Sequence, residues 1–397
     1  MAIMIKKTLL AVFLAILGGW LLIYSWQARR VTMRSFDITL EAANRLDAFP
    51  VAQYEIGYQF WFQNQSAAAL NLFRRAVTLD FCYLDAWLKL SEIEAALGNR
   101  RKAKAILEFT NQIAPNVYRW KWRQTLLAHS IGLEHVFIGN INDLIPFPKN
   151  RQNALFLLDQ KYGEDTAKIL KILASDNYIP YLEWLMGGRR VDDVQEVWRK
   201  LDDHDKEKPV LLSRYVNFLL HNERVADAIG VWRQAGHSGI TNPKFEEEMV
   251  NQGFGWRYHN PGTEEWVIKR KYLLQSEREH VLQIAFFGQQ NLSFGHFFQI
   301  LPAYPGKKYR LTLDLKSRQL TTDQRPFFEI YGYECEGIYV RGPMLPESAD
   351  WHEAAIEFDV PEACEAVVVR LRRLPSKRFD SKISGMLWMD NFIIHED

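Results

Sequence analysis

The residues of this sequence best placed to do chemistry are aromatic and lie in its last third. Tyr331-Gly332-Tyr333 is joined to Tyr339 through a loop containing Gly337, a spacing that can lay several phenol rings on one surface. Flat rings pack against the C–H faces of sugars, while amides, carboxylates and guanidinium groups meet the hydroxyls. Trp256, Tyr258, Trp266 and Trp351 complete the candidate set. The chain carries 13 Trp, 16 Tyr and 24 Phe; cores consume the same residues, so composition alone does not separate a platform from packing.

Groups for bond breaking are harder to find. Glycoside hydrolysis needs two carboxylates at a defined separation, and the runs Glu246-Glu247-Glu248 and Glu264-Glu265 read as solvated surface. The 10 histidines form no H-x-H or H-E-x-x-H pattern, and no G-x-S-x-G elbow, phosphate loop or dinucleotide fingerprint is present. A protein that is not an enzyme is expected. With a net charge of +1, and Arg-Arg pairs at 29–30, 189–190 and 372–373 that read as short solvated faces, nucleic acid is not an expected partner. Cys82, Cys335 and Cys364 show no C-x-x-C spacing, against a zinc or thioredoxin-like site. Cys335 and Cys364 either bridge in an oxidising compartment or remain two separate buried thiols; separate thiols are the expectation.

At 397 residues the chain has room for two or three domains that position these groups. From Thr8 to Ala28 runs an uncharged apolar stretch of 21 residues, about 30 Å as a helix and enough to cross a hydrocarbon core. Tyr24 and Trp26 stand where amphipathic rings favour the headgroup layer, and basic residues flank both ends. A cleaved signal peptide would be shorter, with small residues before its cleavage site, so residues 1–35 read as an uncleaved membrane anchor.

Residues 36–242 read as helical repeats. Tyr181–Leu201 and Tyr215–Ala235 match at an offset of 34, including Val197-Trp198-Arg199 against Val231-Trp232-Arg233. Gly57 and Ser91, Ala69 and Ala103, Phe73 and Leu107, and Asn64 and Gly98 are each 34 apart as well. A helix pair that cannot bury its apolar face alone must stack on the next, which is the physical origin of such a period. Asn99 and Asn222 occupy equivalent turns but lie 123 apart, three periods plus 21 residues. The surplus predicts an irregular insert near 132–150. Leu84–Val117, with Trp87, Leu90, Ser91, Ala103, Leu107 and Pro115, resembles a tetratricopeptide repeat, departing at Glu94 and Thr110. That resemblance implies a solenoid with a groove for a protein partner.

Beyond about residue 250 the period becomes two. Tyr309–Leu315 and Val367–Leu371 alternate, and 281–287, 297–301, 326–331 and 352–358 are further strands. Eight or so short strands predict an antiparallel β-sandwich of jelly-roll type over 250–397. "GFGWRYH" (Gly253–His259), "FFQILPAYPGKKYRLTLDLKSRQL" (Phe297–Leu320), "WHEAAIEFDVP" (Trp351–Pro361) and "GMLWMDNFII" (Gly385–Ile394) resemble segments of the galactose-binding-like carbohydrate-binding modules. In the last of these, Met386, Trp388 and, after a local irregularity, Phe392 are expected to face the core. The resemblance implies sugar contacts among Tyr331, Tyr333, Tyr339, Trp256 and Trp351. It also implies a structural Ca²⁺ at Asp390 and Asn391, whose oxygen ligands suit that ion; the alternative is that Asp390 accepts hydrogen bonds from nearby backbone. No other cofactor is expected.

The expected whole is a multidomain α + β chain, a single-pass inner-membrane adaptor with its body in the periplasm. It binds a protein partner through the repeats and a glycan through the sandwich, in assembly or export of an envelope polysaccharide. The alternatives are a structural scaffold without glycan binding, and a glycan hydrolase with an appended module.

Overall fold

The computed structural model describes residues 15–23, 25, 48–115, 117–262, 265–273 and 278–396. Within the apolar stretch, 15–23 and Ser25 are helical, and the remainder of the expected Thr8–Ala28 span lies outside the described residues. Among the described residues no helix is long and apolar enough to cross a membrane. The helical piece leaves Ile16, Leu17, Trp20, Leu21, Leu22 and Ile23 between 42% and 72% exposed.

The chain divides into two compact units, Met1–Trp184 and Leu185–Asp397. The first holds α1 (Pro50–Phe62), α2 (Ser66–Leu79), α3 (Leu84–Ala96), α4 (Arg100–Ile113), α5 (Tyr118–Ile131), α6 (Glu134–Leu144), α7 (Pro148–Tyr162) and α8 (Thr166–Ile172). Helix α9 (Tyr178–Gly187) spans the division. The second unit continues with α10 (Val191–Lys200), α11 (Asp203–Lys206), α12 (Pro209–His221), α13 (Val225–Gln234) and then strands alone.

The offset of 34 has a backbone cause. Asn64, Gly98 and Gly132, successive multiples of that offset, all turn with positive φ of 61°, 81° and 69°, the left-handed conformation that ends one helix and frees the next. The equivalent small and large positions are buried as the pattern requires: Ala69, Ala103, Phe73, Leu107 and Ser91 are all 0% exposed. Ser91 donates its hydroxyl to the Ala103 carbonyl at 2.7 Å, and a Cβ on Gly57 would stand 3.1 Å from the Phe73 ring. Trp198 and Trp232 are 7% and 4% exposed, repeat core as their recurrence suggests.

The expected insert at 132–150 is not a loop. Glu134–Leu144 is helix, and Pro148 opens another at its first turn. The surplus of residues is absorbed by a further, shortened hairpin. Its helix α8 has only 7 residues, and the next positive-φ turns fall at Glu164, Arg189 and Glu223, the last two again 34 apart. Gly132 caps α5 and Pro148 opens α7, whereas Gly139, Asn140 and Asn142 lie inside α6, so none of them marks irregular chain.

Among the described residues ten strands form two antiparallel five-stranded sheets. Sheet A has the order β1 (Arg257–Tyr258), β4 (Phe294–Pro302), β9 (Ala366–Arg373), β6 (Phe327–Gly332), β7 (Tyr339–Arg341). Sheet B has β2 (Trp266–Tyr272), β3 (His280–Phe287), β10 (Ser384–Glu396), β5 (Lys308–Arg318), β8 (Ala349–Asp359). The chain changes sheets at almost every step, so residues from both inner faces close one core. Leu311, Leu313 and Leu315 of β5 meet Phe328, Val369 and Leu371 there.

Strand β10 differs from expectation in which side chains face inward. Leu387 and Met389 are 1% and 0% exposed and belong to the core, as does Phe392 at 1%, whereas Met386 and Trp388 are half-buried on the opposite side. The irregularity is present: the β5 pairing shifts between Asp390 and Ile393, with Asn391 at φ 51°. One extra residue there reverses the alternation, so Phe392 reaches the core only because Leu387 and Met389 do.

Two further expectations are corrected. Cys335 and Cys364 form a disulfide with Cα atoms 5.4 Å apart, tying the β6–β7 loop to the β8–β9 connection. Arg373, read with Arg372 as solvated, is 0% exposed. Its guanidinium donates to the carbonyls of Gln324 (3.0 Å), Ser381 (2.7 Å) and Leu292 and to the Asn291 side chain (3.3 Å), pinning several loops at one corner.

Candidate functional site

The site is the outward face of sheet A. On β6, Phe328 and Ile330 point into the core, so Phe327, Glu329 and Tyr331 point out. The registers β6–β9 and β6–β7 then fix their neighbours. Tyr331 stands opposite Val368 and Tyr339, Glu329 opposite Arg370 and Arg341, and Phe327 opposite Arg372. Directly opposed side chains in an antiparallel pair are in contact range. The two tyrosines are therefore brought together by strand pairing, eight positions apart in sequence.

Glu329 organises this face. It is 3% exposed and accepts from Arg370 Nε at 2.6 Å and from the Tyr339 hydroxyl at 3.1 Å. The Arg370 guanidinium, held by that carboxylate, sits 4.6 Å from the Tyr331 ring centroid, and Arg341 lies 3.9 Å over Phe327. Burial pushes the phenols of Tyr331 and Tyr339 up from their ordinary value, and for Tyr339 the bond to Glu329 adds to it. Both hydroxyls thus stay protonated donors at neutral pH. Tyr339 is 63% exposed, and beside it the open edge between β7 and β8 forms a cleft of about 480 Å³ lined by Ile338, Lys308, Glu357 and Asp359.

The far end of the face is closed by helix α12. Asn217 accepts from Arg257 at 2.9 Å, and the Leu220 carbonyl accepts the Tyr333 hydroxyl at 3.3 Å. Ile300 and Val368, outward on this side, are 2% and 3% exposed. The disulfide fixes the loop that carries Tyr333 and leads into Tyr339.

The sequence candidates divide accordingly. Tyr331 and Tyr339 share the face, and Tyr333 borders it with its hydroxyl committed to α12. Trp256 is 1% exposed, stacked on Phe297 at 4.6 Å, which removes it from any surface. Trp266, 6% exposed, is likewise core, and Tyr258 packs against that core. Trp351 lies outward on sheet B with Arg278 at 4.6 Å from its ring. Glu329, Arg370, Arg341, Arg372 and Phe327 were missed. The signal for two of them is the alternation of β9 itself, in which Arg370 and Arg372 interrupt a Val-Leu series at every second position.

Asp390 and Asn391 do not fit a calcium ion. Asp390, 4% exposed, accepts from the Arg278 guanidinium at 3.1 Å and from the Asn391 backbone N–H at 2.8 Å. Arg278 also binds Asp314 at 2.7 Å, so a guanidinium stands where the cation would. Among the described residues no three His, Cys, Asp or Glu side chains gather as metal ligands.

A second concavity lies in the first unit. Tyr54, Tyr58 and Phe62 of α1, Lys89 and Glu92 of α3 and Arg123 of α5 line a groove of about 690 Å³. Its charges are mutually satisfied: Glu92 meets Lys89 at 2.6 Å and Arg123 at 2.7 Å. Phe62 is 80% exposed at its rim.

The class defined here is a two-sheet antiparallel β-sandwich preceded by helical hairpins, with a polar-aromatic outer face. The chain matches no protein-family model and no curated protein. Among solved structures it is similar to the enzymatically active domain of tailspike protein 4 of bacteriophage CBA120, at 14% identity and TM-score 0.29 over 40% of this chain, spanning only 21% of that one. It is also similar to a carbohydrate-binding module, CBM4, at 16% identity and TM-score 0.28 over 40% of this chain and 99% of that one. The CBM22-1 xylan-binding domain of Paenibacillus barcinonensis Xyn10C matches at 13% and 0.25 over 38% of this chain and 90% of that one.

Proposed function

We propose that the protein is a membrane-tethered adaptor whose sandwich binds a glycan on the outer face of sheet A. The observation that carries this reading is the opposed pair Tyr331 and Tyr339, rings bracketed by a buried carboxylate and a guanidinium that is itself stacked on one of them. Rings supply the apolar contact, and the fixed donors and acceptors orient hydroxyls. The apolar span at Thr8–Ala28 and the exposed apolar side chains at 16–23 support the tether. The groove between α1, α3 and α5, tetratricopeptide-like in its sequence, is the site proposed for a protein segment, Phe62 being its apolar anchor. A disulfide in the sandwich supports a body on the oxidising, periplasmic side. Assembly or export of an envelope polysaccharide would use such a two-handed adaptor, holding a strand without cutting it.

The test is glycan-array and calorimetric binding of the full chain in detergent. Binding to at least one envelope polysaccharide is expected, falling about tenfold for Tyr331→Ala or Tyr339→Ala and unchanged for Trp351→Ala. Retention of full affinity in the Tyr331→Ala/Tyr339→Ala double variant, or no binding across the array, would overturn the reading.

A further inference from the structure

We infer that the glycan of this face is acidic, carrying carboxylates on its sugar rings. The inference rests on the glycan-binding reading above and names the class of ligand within it. Its basis is the charge balance of the face. Outward positions of sheet A hold four guanidinium groups, Arg257, Arg341, Arg370 and Arg372, and one carboxylate, Glu329.

Two of the four are spent inside the protein. Arg257 is held by Asn217 and by the Gly253 carbonyl, both at 2.9 Å. Arg370 is neutralised by Glu329 at 2.5 Å. Arg341 and Arg372 have no carboxylate partner among the described residues. Arg341 is exposed and lies flat on Phe327. Arg372 gives one N–H to the Phe294 carbonyl at 3.0 Å and keeps the rest of its fork. Both border the same ring, Arg372 as the strand partner of Phe327 and Arg341 above it.

A guanidinium offers two parallel N–H groups that match a carboxylate, and it tolerates stacking on an aromatic face better than an ammonium does. Two such forks, pre-oriented by a ring and a carbonyl, form a receiver for carboxylate groups. Phe327 lies four residues along β6 from Tyr331, roughly 13 Å. An oligosaccharide stacked on Tyr331 and Tyr339 and running with the strands reaches the free forks, whereas a monosaccharide does not. On β5 of sheet B three cations are matched, Arg310 to Glu357 at 3.4 Å, Lys316 to Asp350 at 2.7 Å and Lys308 to Asp359 at 3.6 Å, while Arg318 meets, among the described residues, only the Met386 sulfur and lies over Trp388. What sets this face apart is that two such forks border a single ring, Phe327.

The test titrates the detergent-solubilised full chain with uronate oligosaccharides (galacturonate, mannuronate–guluronate and glucuronate-containing) and with the same oligosaccharides after carboxyl reduction. At least one acidic form should bind about tenfold or more tightly than its reduced counterpart, with affinity falling as salt rises. Arg341→Ala and Arg372→Ala should each weaken the acidic ligand about tenfold without lowering the melting temperature, and Arg341→Lys should recover only part of the loss because it keeps the charge without the fork. Equal binding of acidic and reduced forms, or wild-type affinity in the Arg341→Ala/Arg372→Ala variant, would sink the inference and leave the glycan reading standing. Absence of binding to these and to neutral polysaccharides alike would remove both.

Discussion

The two sheets of the sandwich carry similar side chains outward and use them differently. On sheet B, Lys308, Arg310 and Lys316 of β5 meet carboxylates on β8, and Arg278 is shared between Asp314 and Asp390, leaving Arg318 over Trp388 without one among the described residues. On sheet A a single buried carboxylate faces several arginines, and the aromatic rings lie among them. Sheet B thus spends most of the charge of β5 on its neighbour β8. Sheet A gathers two guanidinium groups without carboxylates around one ring, Phe327, and that grouping, more than aromatic content, marks the proposed ligand face.

Five measurements would break or sharpen this contrast. The largest effect is expected from the disulfide, which closes a loop of sequence separation 29 beside sheet A. Reduction, or Cys364→Ala with Cys335→Ala, should cost about 3–4 kcal/mol, read as a clear drop in melting temperature. Next, Glu329→Gln keeps the shape of the acceptor but leaves Arg370 without its counter-charge. With the glutamate side chain 4% exposed and the arginine 30%, the expected cost is about 2–3 kcal/mol in denaturant unfolding. Lys316→Ala, which breaks an exposed pair on sheet B, should cost less than about 1 kcal/mol in the same assay. Equal costs would erase the contrast.

A smaller effect concerns pH. Burial holds the Asp390 carboxyl above its ordinary value, against the pull of Arg278. The folded state therefore keeps that proton to higher pH than the unfolded state, and stability falls as pH rises through the carboxylate range. Asp390→Asn should flatten that slope, measured as melting temperature against pH. The smallest expected effect is none at all: EDTA and added Ca²⁺ should leave the melting temperature unchanged, because Arg278 already bridges Asp314 and Asp390.

Much of the fold was legible because it depends on periodicity. Asn64 and Gly98 announced their turns by residue type, and Gly132 continues the series, but it was read as the start of an insert because the overall count did not fit whole repeats. The count failed at α8, a helix too short to carry a periodic signal. Alternation located β5 and β9 correctly, yet β10 was read one residue out of phase. Its Met386 and Trp388 are as apolar as Leu387 and Met389, so hydrophobicity could not choose the side. The site was half visible. Tyr331, Tyr339, Glu329 and Arg341 are close in sequence, while Arg370 and Arg372 come from β9, some 30 to 40 residues on, and only strand pairing brings them together. Cys335 and Cys364, expected as separate thiols, are likewise joined only by the folded strands.

Arg373 has a consequence of its own. Four oxygen atoms from three loops converge on its side chain, a coordination that many proteins leave to a dissolved ion. Because this positive centre is covalently part of the polypeptide, it cannot be diluted away, chelated or exchanged for a competitor. The corner it gathers is consequently indifferent to the mineral content of its surroundings, and its assembly waits on nothing but the chain.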